Sequence, residues 1–213
     1  MHTHFSPDSE MAPERLVKRC EEVGLSCVAV TDHNTIEGAL AVRELASFIV
    51  IIGEEVASSE GEITGLFLSE EVPRDLTPLE TAKRIKDQGG LVSIPHPFDR
   101  FRRGVISAHA LKAILPYADI VEIFNSRNNL ARDDRKAAEF ARDNGLLVSG
   151  VSDAHTTKEL GRTYLRMPEF DGSPGDFKKA LAKATIVGRR SGPLVHVKTS
   201  LTKLRKRLKG NHP

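Results

Sequence analysis

Cysteine is scarce. Cys20 and Cys27 are the two thiols in 213 residues, and they do not form a CxxC pair. Two thiols do not make a disulfide framework, so the fold must be held by a hydrophobic core. Both cysteines are expected in that core, one on a helix and one entering a strand, which fits a reducing cytosol and a cytoplasmic protein. Long apolar runs are missing. The longest, Phe48 to Ile52, is far too short to span a bilayer. The first residues lack the cationic stretch and apolar stretch of a signal peptide. Charge of one sign is also lacking. The net charge is +2, too small to argue for a nucleic-acid partner. Low-complexity tracts are absent. What remains is the composition of one globular domain, 39% hydrophobic and 28% charged, long enough to bury a sizeable core.

Helix signals alternate with strand-length apolar runs. Pro13 sits in a first turn and Gly24 follows as a stop, so a helix is expected over 11–20. Thr77-Pro-Leu-Glu80 reads as a capping box before a helix ending at Gly89-Gly90. Further helices are expected from Ser107 to Leu115, from Leu130 to Asn144 and from Ser173 to Ala184. The strand-like runs are 27–31, 48–53, 62–68, 91–94, 119–124 and 146–151. They are nearly continuous in apolar character, which suits parallel strands covered on both faces. Repeated βα units of this kind predict an α/β barrel or an open doubly wound sheet. The domain is expected to span 1–192. Residues 193–213 are expected to form a basic tail, read as a solvated helix or frayed end around Lys203 to Lys209, with a nucleic-acid contact as the alternative.

The residues able to bind metal fall at the ends of these runs. His2 and His4 open the chain and Asp8 follows. His33 ends one strand and Glu54-Glu55 the next, while Glu62 opens another. His96 stands in Ile-Pro-His-Pro, and Asp153 and His155 follow the run ending at Val151. Parallel sheets and barrels carry their active sites at the carboxyl rim of the strands. Residues distant in the chain would therefore meet. A mixed nitrogen and oxygen donor set suits zinc, manganese or iron. Nine donors exceed the need of one ion, and a carboxylate such as Glu55 can bridge two, so a centre of two or three ions is expected. Asp32 is read as orienting a ligand. Alternation turns Glu54 to the other face. His109, His196 and His212 are placed outside the set.

Taken together, His2-Thr-His4, Thr31-Asp-His33-Asn, Gly53-Glu-Glu55, His96-Pro-Phe98 and Ser152-Asp-Ala-His155 resemble the polymerase-and-histidinol-phosphatase, or PHP, family from His2 to about Gly192. The resemblance implies a distorted barrel of seven strands with the site at its carboxyl rim. It also implies a division of ligands. His2, His4, Glu55 and Asp153 would hold one ion, Glu55 bridging. Glu62 and His96 would complete a second, with Glu62 where many relatives have histidine. Asp8, His33 and His155 would hold a third. In relatives a strand precedes the HxH pair. Here it is almost absent, so either the natural chain starts upstream or the barrel is open there.

The chemistry implied is phosphoester hydrolysis by a metal-activated hydroxide. The substrate would be a phosphorylated small molecule or nucleotide, with a short nucleic acid possible and no membrane partner. Arg100, Arg103 and Arg127 lie on loops after strands and suit phosphate, each with a solubilising surface charge as its alternative. Asn125 follows another strand and could contact substrate. His155, Asp153 or a water could protonate the leaving oxygen. Two other functions compete: carbon–nitrogen hydrolysis on a similar barrel, for which no strand-end lysine is found, and a non-catalytic, metal-stabilised regulatory module.

Overall fold

Each strand of this chain alternates between two apolar environments, and that alternation builds the barrel. The computed structural model describes residues 1–102, 104–192 and 194–208. Six strands form one strongly curled sheet in the order β1 (Cys27–His33), β2 (Ile49–Ser58), β3 (Gly61–Leu66), β4 (Leu91–Ile94), β5 (Ala118–Asn125) and β6 (Leu147–Val151). One face points outward to α1 (Pro13–Glu22), α2 (Glu37–Leu45), α3 (Pro78–Asp87), α4 (Ala108–Ile114) and α5 (Ala131–Asp143). Val28, Val30, Ile52, Ile63, Val92 and Val121 lie in that large outer core with Leu16 and Cys20 of α1. The inner face carries Ile51, Leu66, Leu91 and Ile120, which form a second cluster. Both faces are thus buried, which is why the strands read as nearly continuous apolar runs.

Two β strands and a helix close the inner face. The pair β7 (Thr163–Arg166) and β8 (Thr185–Gly188) is a separate antiparallel sheet. Between them α6 (Pro174–Leu181) inserts Phe177 and Leu181 among the inner residues. These groups plug the barrel floor, at the amino ends of the parallel strands. The last helix, α7 (Leu194–Leu208), follows β8. The expected tail 193–213 is therefore helical over 194–208, while Arg103 and His212 lie outside the described residues.

The sheet is mixed, which corrects the expectation of a parallel one. Strand β3 pairs antiparallel with both β2 and β4, and the other pairs are parallel. The cause is the connection between β2 and β3. Only Ser59 and Glu60 separate these strands, too few for a crossover, and Gly61 takes a φ of 126° to complete the turn. Strand β2 also runs past the expected end, to Ser58. Helix α2 and strands β7 and β8 were not among the expected elements. Both expected cysteine placements are observed: Cys20 lies on α1 and Cys27 opens β1, and both are free.

The edges β1 and β6 do not pair with each other. Met1 and His2 lie between them. The Thr31 amide donates to the Met1 carbonyl and the His2 amide to the Ala154 carbonyl, both at 2.9 Å. This short segment bridges the gap between the two edges.

Asp119, at the start of β5, ties three elements together. Its carboxylate accepts from Lys86 of α3 at 2.8 Å, Lys178 of α6 at 2.8 Å and the Val92 amide at 3.0 Å. Burial favours the neutral acid, but the two ammonium groups and the amide outweigh it and hold the group below its ordinary value. Its stabilisation is full above an ordinary carboxyl pKa of about 4 and fades as pH falls through the lowered native value. Asp119→Asn should therefore cost about 1–3 kcal/mol at neutral pH. In urea unfolding the deficit should shrink below about pH 3; an equal deficit at both pH values would refute the ionic account.

Candidate metal centre

The carboxyl rim collects four imidazoles and four carboxylates in a space of a few ångströms. Parallel pairing sets His33 of β1 opposite Glu55 of β2. On the neighbouring β3, Glu62 points to the same mouth. His96 and Asp153 follow β4 and β6 directly, with left-handed φ values of 31° and 49°. Such values cost about 1–3 kcal/mol outside glycine and persist where surrounding contacts over-determine them.

The resulting contacts form three overlapping donor sets. His2 Nε2 lies 3.3 Å from Glu55 Oε2 and 3.2 Å from Asp153 Oδ1. His96 Nε2 lies 3.1 Å from Glu55 Oε1 and 3.6 Å from Glu62 Oε2. Asp8 Oδ2 lies 3.4 Å from His33 Nε2 and 3.2 Å from His155 Nε2. His33 Nδ1 joins the sets, 3.9 Å from both Glu55 and Glu62. Donor atoms of His2, Asp8, His33 and His155 all lie within 4.8 Å of one another, as do those of His33, Glu55 and Glu62. Two ligands each about 2.1 Å from one ion stand roughly 3.0–3.5 Å apart. The contacts of His2 with Glu55 and Asp153, of His96 with Glu55, and of Asp8 with His33 and His155 match that spacing, while those of Glu62 with His96 and of His33 with Glu55 and Glu62 are longer, at 3.6–3.9 Å. Asp8 Oδ1 and His96 Nδ1 are buried with no hydrogen-bond partner, and the first of these is an acceptor that a cation would satisfy. The residues therefore fit a divalent metal.

Charge agrees with this reading. Burial alone would lower the His2 imidazole, but Asp153 and Glu55 beside it push it up to about 10. Burial would raise Glu55 and Asp153, yet His33, His2 and His96 hold Glu55 well below its usual range, and Arg102, His2 and His155 do so for Asp153. Glu62 moves the other way, raised by burial and by the Glu55 charge. A buried excess of carboxylates is stable only with cations among them.

Polar neighbours position the ligands. Ser6 Oγ accepts from the His33 amide at 2.9 Å and meets His2 Nδ1 at 3.1 Å. Ser9 Oγ donates to the His2 and His155 carbonyls. Asp32 faces the outer side and accepts from both the Thr3 amide and hydroxyl at 2.6 Å. It orients the amino-terminal segment, not a ligand ring. Gly38 of α2 permits this lock, since a Cβ there would stand 1.9 Å from Asp32 Oδ2. Glu159 accepts from the His155 amide and from Thr156 Oγ1, and its other oxygen takes Arg127 Nε at 2.8 Å.

Several expected site residues lie elsewhere. His4 is exposed and stacks on Phe5, with ring centroids 4.5 Å apart. The HxH argument assumed an extended chain, but the backbone turns here, the Ser6 amide donating to the Thr3 carbonyl. Arg100 reaches Asp133 at 3.2 Å, on the outer surface. Arg127 is buried against Glu159, so it braces the His155 loop. Arg103 lies outside the described residues. Among the described residues the arginine in the site is Arg102. Its Nη2 lies 2.6 Å from Asp153 Oδ2 and 3.3 Å from Asn125 Oδ1. Asn125 does enter the site, donating to Glu122 at 3.2 Å. Glu122, half-buried and raised by desolvation, also accepts from the His96 amide at 3.1 Å. Inward alternation along β5 is the signal that could have found it. Glu54 faces outward, where it accepts from the Val72 amide at 2.8 Å. His109 is exposed on α4.

Residues 1–122 match the PHP domain, more than half of the chain. The chain belongs to the PHP family. A PHP-associated region follows over 131–186. Among related proteins, uncharacterized protein MJ0417 of Methanocaldococcus jannaschii is 33% identical over 178 residues, 82% of this chain and 72% of its own. Uncharacterized protein MJ1587 of the same organism is 45% identical over 95 residues. That match takes in 43% of this chain and spans only 56% of the relative. Of solved structures, a two-domain Bacteroides vulgatus protein containing a predicted PHP-like metal-dependent phosphoesterase has a TM-score of 0.68 at 18% identity. The alignment covers 95% of this chain and 68% of that one, and it shows a shared fold. The curled six-stranded sheet is thus a distorted PHP barrel, and its His, Asp and Glu clusters are candidate metal sites.

Proposed function

We propose that this PHP protein hydrolyses phosphoesters with two or three divalent ions, zinc, manganese or iron, at the barrel rim. The observation that carries the reading is the convergence of buried His2, Asp8, Glu55, His96, Asp153 and His155 with half-buried His33 and Glu62 at the rim, with Arg102 beside them. Bound ions would supply Lewis acidity and bring the pKa of water near neutrality.

The side chains supply the rest. Glu55 is shared between two donor sets and holds them in register. Arg102 has a planar fork in contact with Asp153 and Asn125, so a phosphoryl group entering here meets a fixed positive charge. The Asn125 amide adds a neutral donor. His155 donates Nδ1–H to the Asp153 carbonyl at 2.9 Å. A carbonyl can only accept, so Nε2 faces Asp8 as the basic nitrogen. We assign the proton transfer to His155 or Asp153: either base would take a proton from the attacking water and hand it to the leaving oxygen. A cavity of about 630 Å³ runs from His2, Glu55, His96 and Asp153 past Thr64, Ser93 and Ser149 to the apolar floor. Its size suits a phosphorylated small molecule or nucleotide.

The test is hydrolysis of p-nitrophenyl phosphate and its diester by protein loaded with manganese or zinc. Turnover that vanishes on chelation and returns with metal is expected. Arg102→Ala should lower kcat/KM by about a hundredfold while metal content stays at the wild-type level. Metal-loaded protein that cleaves no phosphoester, together with His33→Ala and Asp153→Ala proteins that bind metal as wild type does, would refute the catalytic reading.

A further inference from the structure

The basic helix α7 reaches into the rim. Lys203 extends its ammonium to 3.1 Å from Asp8 Oδ2. That oxygen is the one faced by His33 Nε2 and His155 Nε2. One turn further, Lys206 donates to the His4 and Ser6 carbonyls, the latter at 2.6 Å. The helix therefore grips the loop that carries Asp8 at two points. Ser6 links the second grip to the ligands, since its hydroxyl touches His2 and the His33 amide.

We propose that the Lys203 ammonium and a divalent ion are alternative occupants of the Asp8–His33–His155 pocket, so that α7 docks on the rim when this pocket lacks an ion and is released when one binds. An ion held by Asp8, His33 and His155 would stand close to the point the ammonium now reaches, and two cations so near in a poorly solvated pocket repel strongly. The ammonium offers one charge at hydrogen-bond distance. A divalent ion offers two at coordination distance, so it can win at sufficient concentration. Among the described residues no lysine lies against the other two donor sets, and Arg102 meets one of them only at Asp153 Oδ2, the oxygen turned away from His2, so those sets should fill first. Lys206 makes the docked helix more than a chance contact, because it holds α7 in place without touching a ligand.

The inference rests on the rim being a metal centre, and not on which ester is cleaved. Metal titration of apo protein by calorimetry, with metal content by elemental analysis, tests it. Lys203→Ala should tighten the weakest-binding ion about tenfold, the factor expected if α7 is docked some nine-tenths of the time, and leave the tighter ions unchanged. Trypsin provides a second readout on the wild-type protein. Cleavage at Lys203 and Lys206 should be slow in the apo form and quicken as the last ion binds. Identical titrations of wild type and Lys203→Ala would overturn the proposal, and so would tryptic rates indifferent to metal. If neither protein binds any ion, the metal-centre reading falls and takes this inference with it.

Discussion

Glu55→Ala protein should lose metal from the two donor sets that share Glu55, with phosphoester turnover falling by roughly a thousandfold or more. The size of the effect follows from geometry. One oxygen of Glu55 faces His96 and the other faces His2 and His33. No other carboxylate of the rim touches three of the histidines. Removing it breaks the His2–Asp153 set and the His96–Glu62 set together, whereas Asp8 and His155 keep their contact. Elemental analysis should therefore show residual metal, and calorimetry should show the surviving site binding near its wild-type affinity. Glu55→Ala protein with full metal content and activity would remove Glu55 as the shared ligand.

Arg127→Ala should destabilise the fold by about 3–5 kcal/mol, because it strands a buried carboxylate. The side chains of Arg127 and Glu159 are only 5% and 4% exposed, with Nε to Oε1 at 2.8 Å. Glu159 also accepts from the His155 amide and Thr156, so loss of its counter-charge loosens the His155 loop as well. Urea unfolding should report the stability loss. Weaker binding at the Asp8–His33–His155 set should accompany it, and Arg127→Lys should restore only part, since a lysine cannot reproduce the two-nitrogen contact. A stability change under 1 kcal/mol would show that the Glu159 charge finds another partner.

Much of the site was legible because ligand chemistry and strand position are local properties. His33, His96, Asp153 and His155 are metal-competent residues at or just past strand ends, and a strand's direction carries its end to the rim; Glu55 lies inside β2, at the position paired with His33. What failed was side-chain direction where the backbone leaves regular structure. His4 follows a turn at Thr3, so the two-residue alternation that would pair it with His2 does not hold. Arg100, Arg102 and Arg103 are indistinguishable in composition. Only the path of the loop after His96 sends Arg102 to Asp153 and Arg100 to Asp133. Arg127 looked like a phosphate ligand because its partner Glu159 is remote in sequence.

The basic run 203–209 shows the same limit from the other side. As sequence it is a solvated helix, yet Lys203 and Lys206 rest on the loop from His4 to Asp8. The amino-acid order alone determined the α/β class, most of the elements and the pool of donors. These follow from periodicity and residue chemistry within a few positions. The tertiary structure decided the segment between β1 and β6, the arginine and lysines that reach the rim and the pairing of Arg127 with Glu159. Each of those depends on distances between residues far apart in the chain, which no local pattern encodes.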